Sequence, residues 1–254
     1  MVIGLDKFKT YFAGYEGQYA IIGGTACDLL FDEAGLNFRT TKDIDLVLCV
    51  EVIDAAFGER FAAFLNDGGY ETRSRSDGRR EFYRFQKPKD NTFPFMIELF
   101  SRTPDTLDIP DDSTYTRIPA EEDIVSLSAI ILDETYFAAM QAAKKVIGGV
   151  TILDETLLIP FKARAFVDLT ARAEAGETGK GTDIKKHRND VFRLLQLLPG
   201  DANIDLSEPI QDDLRQFTNL VSKDDAFDPM SFNVQISRDD GITQLNKAYG
   251  LDQL

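Results

Sequence analysis

The stretch from Tyr19 to Val50 constrains this chain more than any other. An apolar segment, Tyr19-Ala20-Ile21-Ile22, runs into Gly23-Gly24-Thr25-Ala26. It reads as a short buried strand stopped by two glycines. Ala26, Leu29, Leu30 and Ala34 then recur at helical spacing, and Gly35 offers a helix stop. A second strand follows from Asp43 to Val50. Side chains alternate along a strand, so Asp43 and Asp45 share one face and Ile44 takes the other. Two carboxylates that close repel each other unless a positive charge lies between them. A divalent cation is the simplest such charge, and oxygen donors suit Mg²⁺. The glycines let backbone approach a phosphate, with the N–H groups of the helix start pointing at it. The pattern reads as a phosphate at a helix start opposite a metal on an Asp-x-Asp strand.

Gly-Gly-Thr-Ala, a spacer and Arg39-Thr40-Thr41-Lys42-Asp43-Ile44-Asp45-Leu46 resemble the first motif of the DNA polymerase β-like nucleotidyltransferase superfamily. More closely, they resemble the AbiEii-type nucleotidyltransferases, the toxin family of type IV toxin–antitoxin systems. The resemblance implies an α+β fold: a mixed sheet with flanking helices, followed by an all-helical C-terminal domain. It covers most of the first 200 residues.

Composition fits a soluble globular chain. Of 254 residues, 43% are hydrophobic and 28% charged, enough for one large domain or two small ones. No apolar run reaches the roughly 20 residues of a membrane helix. The N-terminus lacks the pattern of a signal peptide. Cys27 and Cys49 have neither disulfide nor metal spacing and read as buried thiols. A cytoplasmic protein is expected. The net charge of −15 argues against broad nucleic-acid binding. One window runs against that balance: from Lys162 to Arg193, eight Lys and Arg face five acids. It reads either as a local basic patch or as a solvated helix face.

Along the chain, Leu5 to Phe12 has a short helical pattern, expected as a lid on a sheet edge. Asp54 to Leu65 is an amphipathic helix closed by Asp67-Gly68-Gly69. Tyr70 to Ser74 and Glu81 to Phe85 read as a hairpin about Ser76-Asp77-Gly78. Phe93 to Phe100 reads as a strand with one acid, Glu98, in an apolar run. A buried carboxylate there is costly unless paired or metal-bound. The resemblance makes Glu98 the third metal carboxylate, where aspartate is commoner; the alternative is a salt-bridged or edge-exposed glutamate. Thr114 to Ile118 reads as a strand, Ile124 to Leu132 as strand or helix, Thr135 to Lys145 as a helix, and Val146 to Ile152 as a turn and strand. From Leu157 the period is helical: a helix with Pro160 near its start, another from Asp183 to Leu198, and two more over Pro209–Leu220 and Asp239–Tyr249. The period change divides the chain near Asp154. With the resemblance, residues 1–154 become a catalytic domain and 155–254 a helical domain.

Two later segments extend the resemblance. Leu158 to Ala165 is similar to the family's second motif, which supplies Lys162. Lys180 to Asp190 is similar to a later motif, in which Lys186 and Asp190 lie four apart on one helix face. The functional expectation puts Lys162 and Lys186 on the nucleotide, with Asp190 orienting Lys186; the plainer one is a local ion pair. Arg39 touches phosphate or braces its loop. Thr25 gives its hydroxyl to a phosphate or caps the helix. His187 reads as a surface or capping residue.

The implied activity is Mg²⁺- or Mn²⁺-dependent transfer of an NMP from an NTP. Asp43, Asp45 and Glu98 hold the metal, Gly23, Gly24 and Thr25 hold phosphate, and Lys162 neutralises the pyrophosphate. The acceptor is a tRNA end or a protein hydroxyl, and a cognate antitoxin is the implied partner. Two alternatives stay open: a small-molecule nucleotidyltransferase of the aminoglycoside-modifying kind, which suits an acidic surface, and a non-catalytic nucleotide-binding member.

Overall fold

A computed structural model describes residues 3–38, 44–48, 55–70, 82–100, 130–131, 133–176 and 181–252. Their contacts divide the chain into two units, Met1–Pro119 with Lys144–Asp154, and Ala120–Ala143 with Glu155–Leu254.

The first unit is built on a six-stranded mixed sheet. In chain order its elements are α1 (Leu5–Phe12), β1 (Tyr19–Ile22), α2 (Gly23–Glu33), β2 (Ile44–Leu48), α3 (Ala55–Gly68), β3 (Phe82–Gln86) and β4 (Met96–Phe100). The hairpin β5 (Lys144–Ile147) and β6 (Val150–Leu153) completes it. The spatial order is β3-β4-β2-β1-β6-β5. The inner pairs β2–β4 and β1–β6 are parallel, and β1–β2 is antiparallel. Tyr19, Ala20, Ile21 and Ile22 are all buried, as an inner strand covered on both faces requires. Gly148 and Gly149 both have positive φ, the geometry of a two-residue hairpin turn whose twist matches its strands.

Helix α1 does not cover a sheet edge. Leu5, Phe8 and Phe12 are buried, Phe8 meets the ring of the inner-strand residue Tyr19, and Phe12 packs on Phe57, Phe61 and Phe64 of α3. Those three recur on one face of α3, so an aromatic layer forms wherever the two helical stripes meet. Of the expected hairpin, Glu81 and residues 71–80 lie outside the described residues, and Tyr70 is not in a strand. Thr114 to Ile118 also lies outside them.

The second unit contains α4 (Glu134–Ala142), α5 (Glu155–Glu174), α6 (Gly181–Leu195), α7 (Glu208–Ser222), a short 3₁₀ turn (Pro229–Phe232) and α8 (Arg238–Tyr249). Dividing the chain at Asp154 assigns α4 to the sheet, but its contacts lie here. The buried ring of Tyr136 meets Phe161 edge-on, and its hydroxyl donates to Asp213 at 2.9 Å. Asp133 caps α4, accepting from the N–H groups of Thr135 and Tyr136. Ile130 and Ile131, ambiguous in sequence, are helical and buried.

Pro160 lies further into its helix than expected, because α5 begins at Glu155. Its missing N–H removes the bond to the carbonyl one turn back, that of Thr156. The Tyr249 hydroxyl donates to that carbonyl at 2.8 Å. A partner from α8 thus takes up the acceptor that the proline leaves.

Candidate functional site

The sheet register assembles the first candidate site. Ile22 of β1 lies opposite Asp45 of β2, Asp45 is in register with Glu98 of β4, and Glu98 lies opposite Arg84 of β3. Residues in register on adjacent strands occupy one face, with strands about 4.8 Å apart. One row therefore reads Arg84, Glu98, Asp45, Ile22, and the residue after Ile22 is the first of α2. Helix α2 starts with no intervening loop: Ile22 is its N-terminal cap position and Gly23 its first residue. Gly23 has φ +74°, which only glycine adopts without strain, so the chain turns directly from strand to helix. The N–H groups of the first turn, for which an α-helix has no internal acceptor, thus stand at the end of the row that carries Asp45.

Gly23, Gly24 and Thr25 are buried in this turn. Thr25 is the third helical residue, so it does not cap α2; that position belongs to Ile22, which has no side chain able to do so. Glu98 is only 6% exposed, which removes the edge-exposed alternative. A carboxylate so buried needs a compensating partner, and Asp45 and Arg84 hold the two adjacent register positions. Arg39 and Asp43 lie outside the described residues. Among the described residues, no group of three His, Cys, Asp or Glu side chains is placed to hold a metal. The donors in the row are oxygens, Asp45 and Glu98 in adjacent register positions, which is the donor chemistry of a hard divalent cation.

The second unit holds the other constellation. Asp190 of α6 is fully buried and carries two cations: Lys162 Nζ of α5 lies 3.5 Å from Oδ2, and Arg193 donates from Nη1 to Oδ1 at 3.0 Å. The expectation that Asp190 orients Lys186 is not met. The carboxylate instead takes Lys162 from α5 and Arg193 from its own helix, and Lys186 is half-buried on α6. Lys162 is buried on the apolar side of α5, as expected, and its counter-ion is Asp190. His187, one turn before Asp190, is buried rather than superficial.

The basic window is largely spent on ion pairs. Arg164 pairs with Asp133 and Asp213, Arg172 with Asp168, and Arg188 with Asp224, besides the two cations on Asp190. Arg188 also lies 3.8 Å above the Phe227 ring. These pairs shift their acids. The Arg188 bond holds Asp224 below the usual carboxylate range. Burial pulls Asp133 upward, but bonds from Arg164 and from the α4 N–H groups outweigh it and leave it low. Asp213, more distant from the same arginine at 3.6 Å, is raised by burial despite its bonds.

Sequence reasoning missed Arg84 and Arg193. Arg84 alternates with Tyr83 and Phe85 in a strand pattern, a visible signal, but its place opposite Glu98 follows only from strand pairing. Arg193 follows Asp190 by one helical turn, so spacing alone could have found it.

No protein-family model matches this chain, and no curated protein matches it either. No helix among the described residues is long and apolar enough to cross a membrane.

Proposed function

We propose that the chain is a divalent-metal-dependent nucleotidyltransferase that moves an NMP from an NTP to an acceptor hydroxyl. One observation carries this reading: Asp45 and Glu98 stand in register, beside a helix that starts on Gly23-Gly24 without a loop. The sequence resemblance to AbiEii-type and polymerase β-like enzymes supports it independently, and Asp43 would be the third carboxylate.

The acceptor oxygen attacks the α-phosphorus, the bond from that phosphorus to the α–β bridging oxygen breaks, and pyrophosphate leaves. Glu98 takes the acceptor proton. The N–H groups of Gly23, Gly24 and Thr25 hold phosphate oxygens, and the resemblance gives Lys162 the charge of the pyrophosphate. Asp45 and Glu98 would hold Mg²⁺ or Mn²⁺, which when bound polarises phosphate and lowers the pKa of the attacking hydroxyl. The resemblance also points to a toxin role with an antitoxin partner, and to a tRNA end or protein hydroxyl as acceptor.

A second reading of the acceptor has its own support. Lys162, Arg164, Arg172, Arg188 and Arg193 are bound in ion pairs, in a chain of net charge −15. That balance suits a small cationic acceptor, such as an aminoglycoside, better than RNA.

Transfer of α-labelled NTP to RNA, protein and aminoglycoside acceptors, in Mg²⁺, tests both. Label on one class identifies the acceptor, and Asp45→Ala is expected to lower transfer by at least about 10²-fold. No transfer to any of the three, together with no Mg²⁺-dependent NTP binding by calorimetry, would overturn the enzyme reading.

A further inference from the structure

We propose that Arg193 is a positioning residue: it keeps Asp190 charge-paired so that Lys162 can leave the carboxylate for a phosphate-bearing anion. For the identity of that anion, the inference rests on the nucleotide reading above.

The two cations on Asp190 are not equivalent. Arg193 makes a true hydrogen bond at 3.0 Å, whereas Lys162 stands at 3.5 Å, where charge attraction persists and hydrogen bonding weakens. Arg193 comes from the same helix, one turn on, and its guanidinium lies 4.8 Å over the ring of Phe232. The ring and the carboxylate together fix it in place. Lys162 comes from α5 on a flexible four-carbon stem with three rotatable donors. One partner is hydrogen-bonded and ring-stacked, and the other is held by charge alone.

That asymmetry decides the cost of moving Lys162. Withdrawing a cation from a lone buried carboxylate leaves an uncompensated charge, among the most expensive changes a protein interior can undergo. Asp190 has no exposed surface, so bulk water does not reach it. With Arg193 still on Oδ1, the carboxylate keeps a charge partner when Lys162 turns away. Asp190 therefore holds Lys162 ready without trapping it, and Arg193 sets how tightly.

Two readouts on Arg193→Ala, Arg193→Lys and Asp190→Asn test this. The first is the acetylation rate of the Lys162 amine by trace acetic anhydride, read by peptide mass spectrometry. The second is tripolyphosphate affinity by calorimetry. In Arg193→Ala more of the carboxylate charge falls on Lys162. Its acetylation should slow several-fold and tripolyphosphate binding weaken on the order of tenfold. Arg193→Lys should recover most of both, and Asp190→Asn should acetylate faster than wild type. A structural role for Arg193 would loosen the site and speed acetylation in Arg193→Ala; that result, or no change in either readout, overturns the proposal. Where circular dichroism shows Arg193→Ala unfolded, the other two variants decide: Asp190→Asn no faster than wild type overturns it. If the acetylation order holds but wild type does not bind tripolyphosphate, the sharing of Asp190 stands and the nucleotide reading fails instead.

Discussion

Glu98 and Asp190 are both buried carboxylates, one in each unit, and they differ in what stands beside them. Asp190 is paid in full by its own fold: two cations, one per oxygen, from two helices. Glu98 stands between an acid in register, Asp45, and an arginine across the strand pair, Arg84. The residue types at those two register positions carry opposite charge. A carboxylate that is compensated internally is part of the structure's stability. One left beside another carboxylate stores repulsion that a bound cation can relieve, which is how metal sites are usually made.

The comparison breaks most easily at Asp190. Asp190→Ala leaves buried Lys162 and half-buried Arg193 without their shared anion. Removing one partner of a buried pair typically costs about 3–5 kcal/mol. Urea denaturation should show a loss of that order, and Asp190→Asn, which keeps the shape and an acceptor oxygen, should lose less. A loss under about 1 kcal/mol for the alanine variant would mean the cluster is solvated and the contrast with Glu98 is false.

Glu98→Gln should behave differently. Without metal, stability is expected to stay within about 1 kcal/mol of wild type, because the cross-strand terms oppose each other. With Mg²⁺, wild type should gain thermal stability by mass action and the variant should gain little. Melting curves in EDTA and in Mg²⁺ measure both. A large loss in EDTA would show that Arg84 alone compensates Glu98, making it a second Asp190. An equal Mg²⁺ gain in both proteins would remove Glu98 from the metal site.

What could be read from the sequence follows the range of each physical signal. Strand and helix periods are local, so β1, α2, α3 and the helices from Glu155 onward are visible in the residues themselves. Glu98 is visible because one acid interrupts an apolar run. Its row is not, because β2 and β4 pair in parallel across an intervening helix and strand, and that register depends on the assembled sheet. Asp190 was assigned to Lys186 because helical spacing only reports neighbours on the same helix. Of its two cations, Arg193 lies on the same helix within reach of spacing, whereas Lys162 comes from α5 and only helix packing brings it to Asp190. The place of α4 was lost for the same reason: Tyr136 is an ordinary aromatic until Phe161 and Asp213 are put around it.

The smallest effect lies in the second unit, where one arginine serves two acids. Arg164 holds Asp133 at 3.0 Å and Asp213 at 3.6 Å, and the two carboxylates shift in opposite directions. Asp133, held low, adds stability that is present above the ordinary carboxylate range and is lost as pH falls through its lowered value. Asp213, held high by burial, does the reverse: the folded state favours its proton, so its ionisation subtracts stability as pH rises from the ordinary value to the raised one. Asn can still accept from the Tyr136 hydroxyl at either position's geometry only where that bond exists, which is at Asp213. Asp213→Asn should therefore be neutral or stabilising by up to about 1 kcal/mol at neutral pH, with the difference vanishing in acid, where the wild-type carboxyl is protonated too. Asp133→Asn should destabilise at neutral pH by a similar amount, about 1 kcal/mol, and also converge with wild type in acid. Urea melts of both variants at neutral and acidic pH give the two signs. The same sign for both would mean that Arg164 does not distinguish its partners, and that internal compensation in this unit is looser than the Asp190 cluster implies.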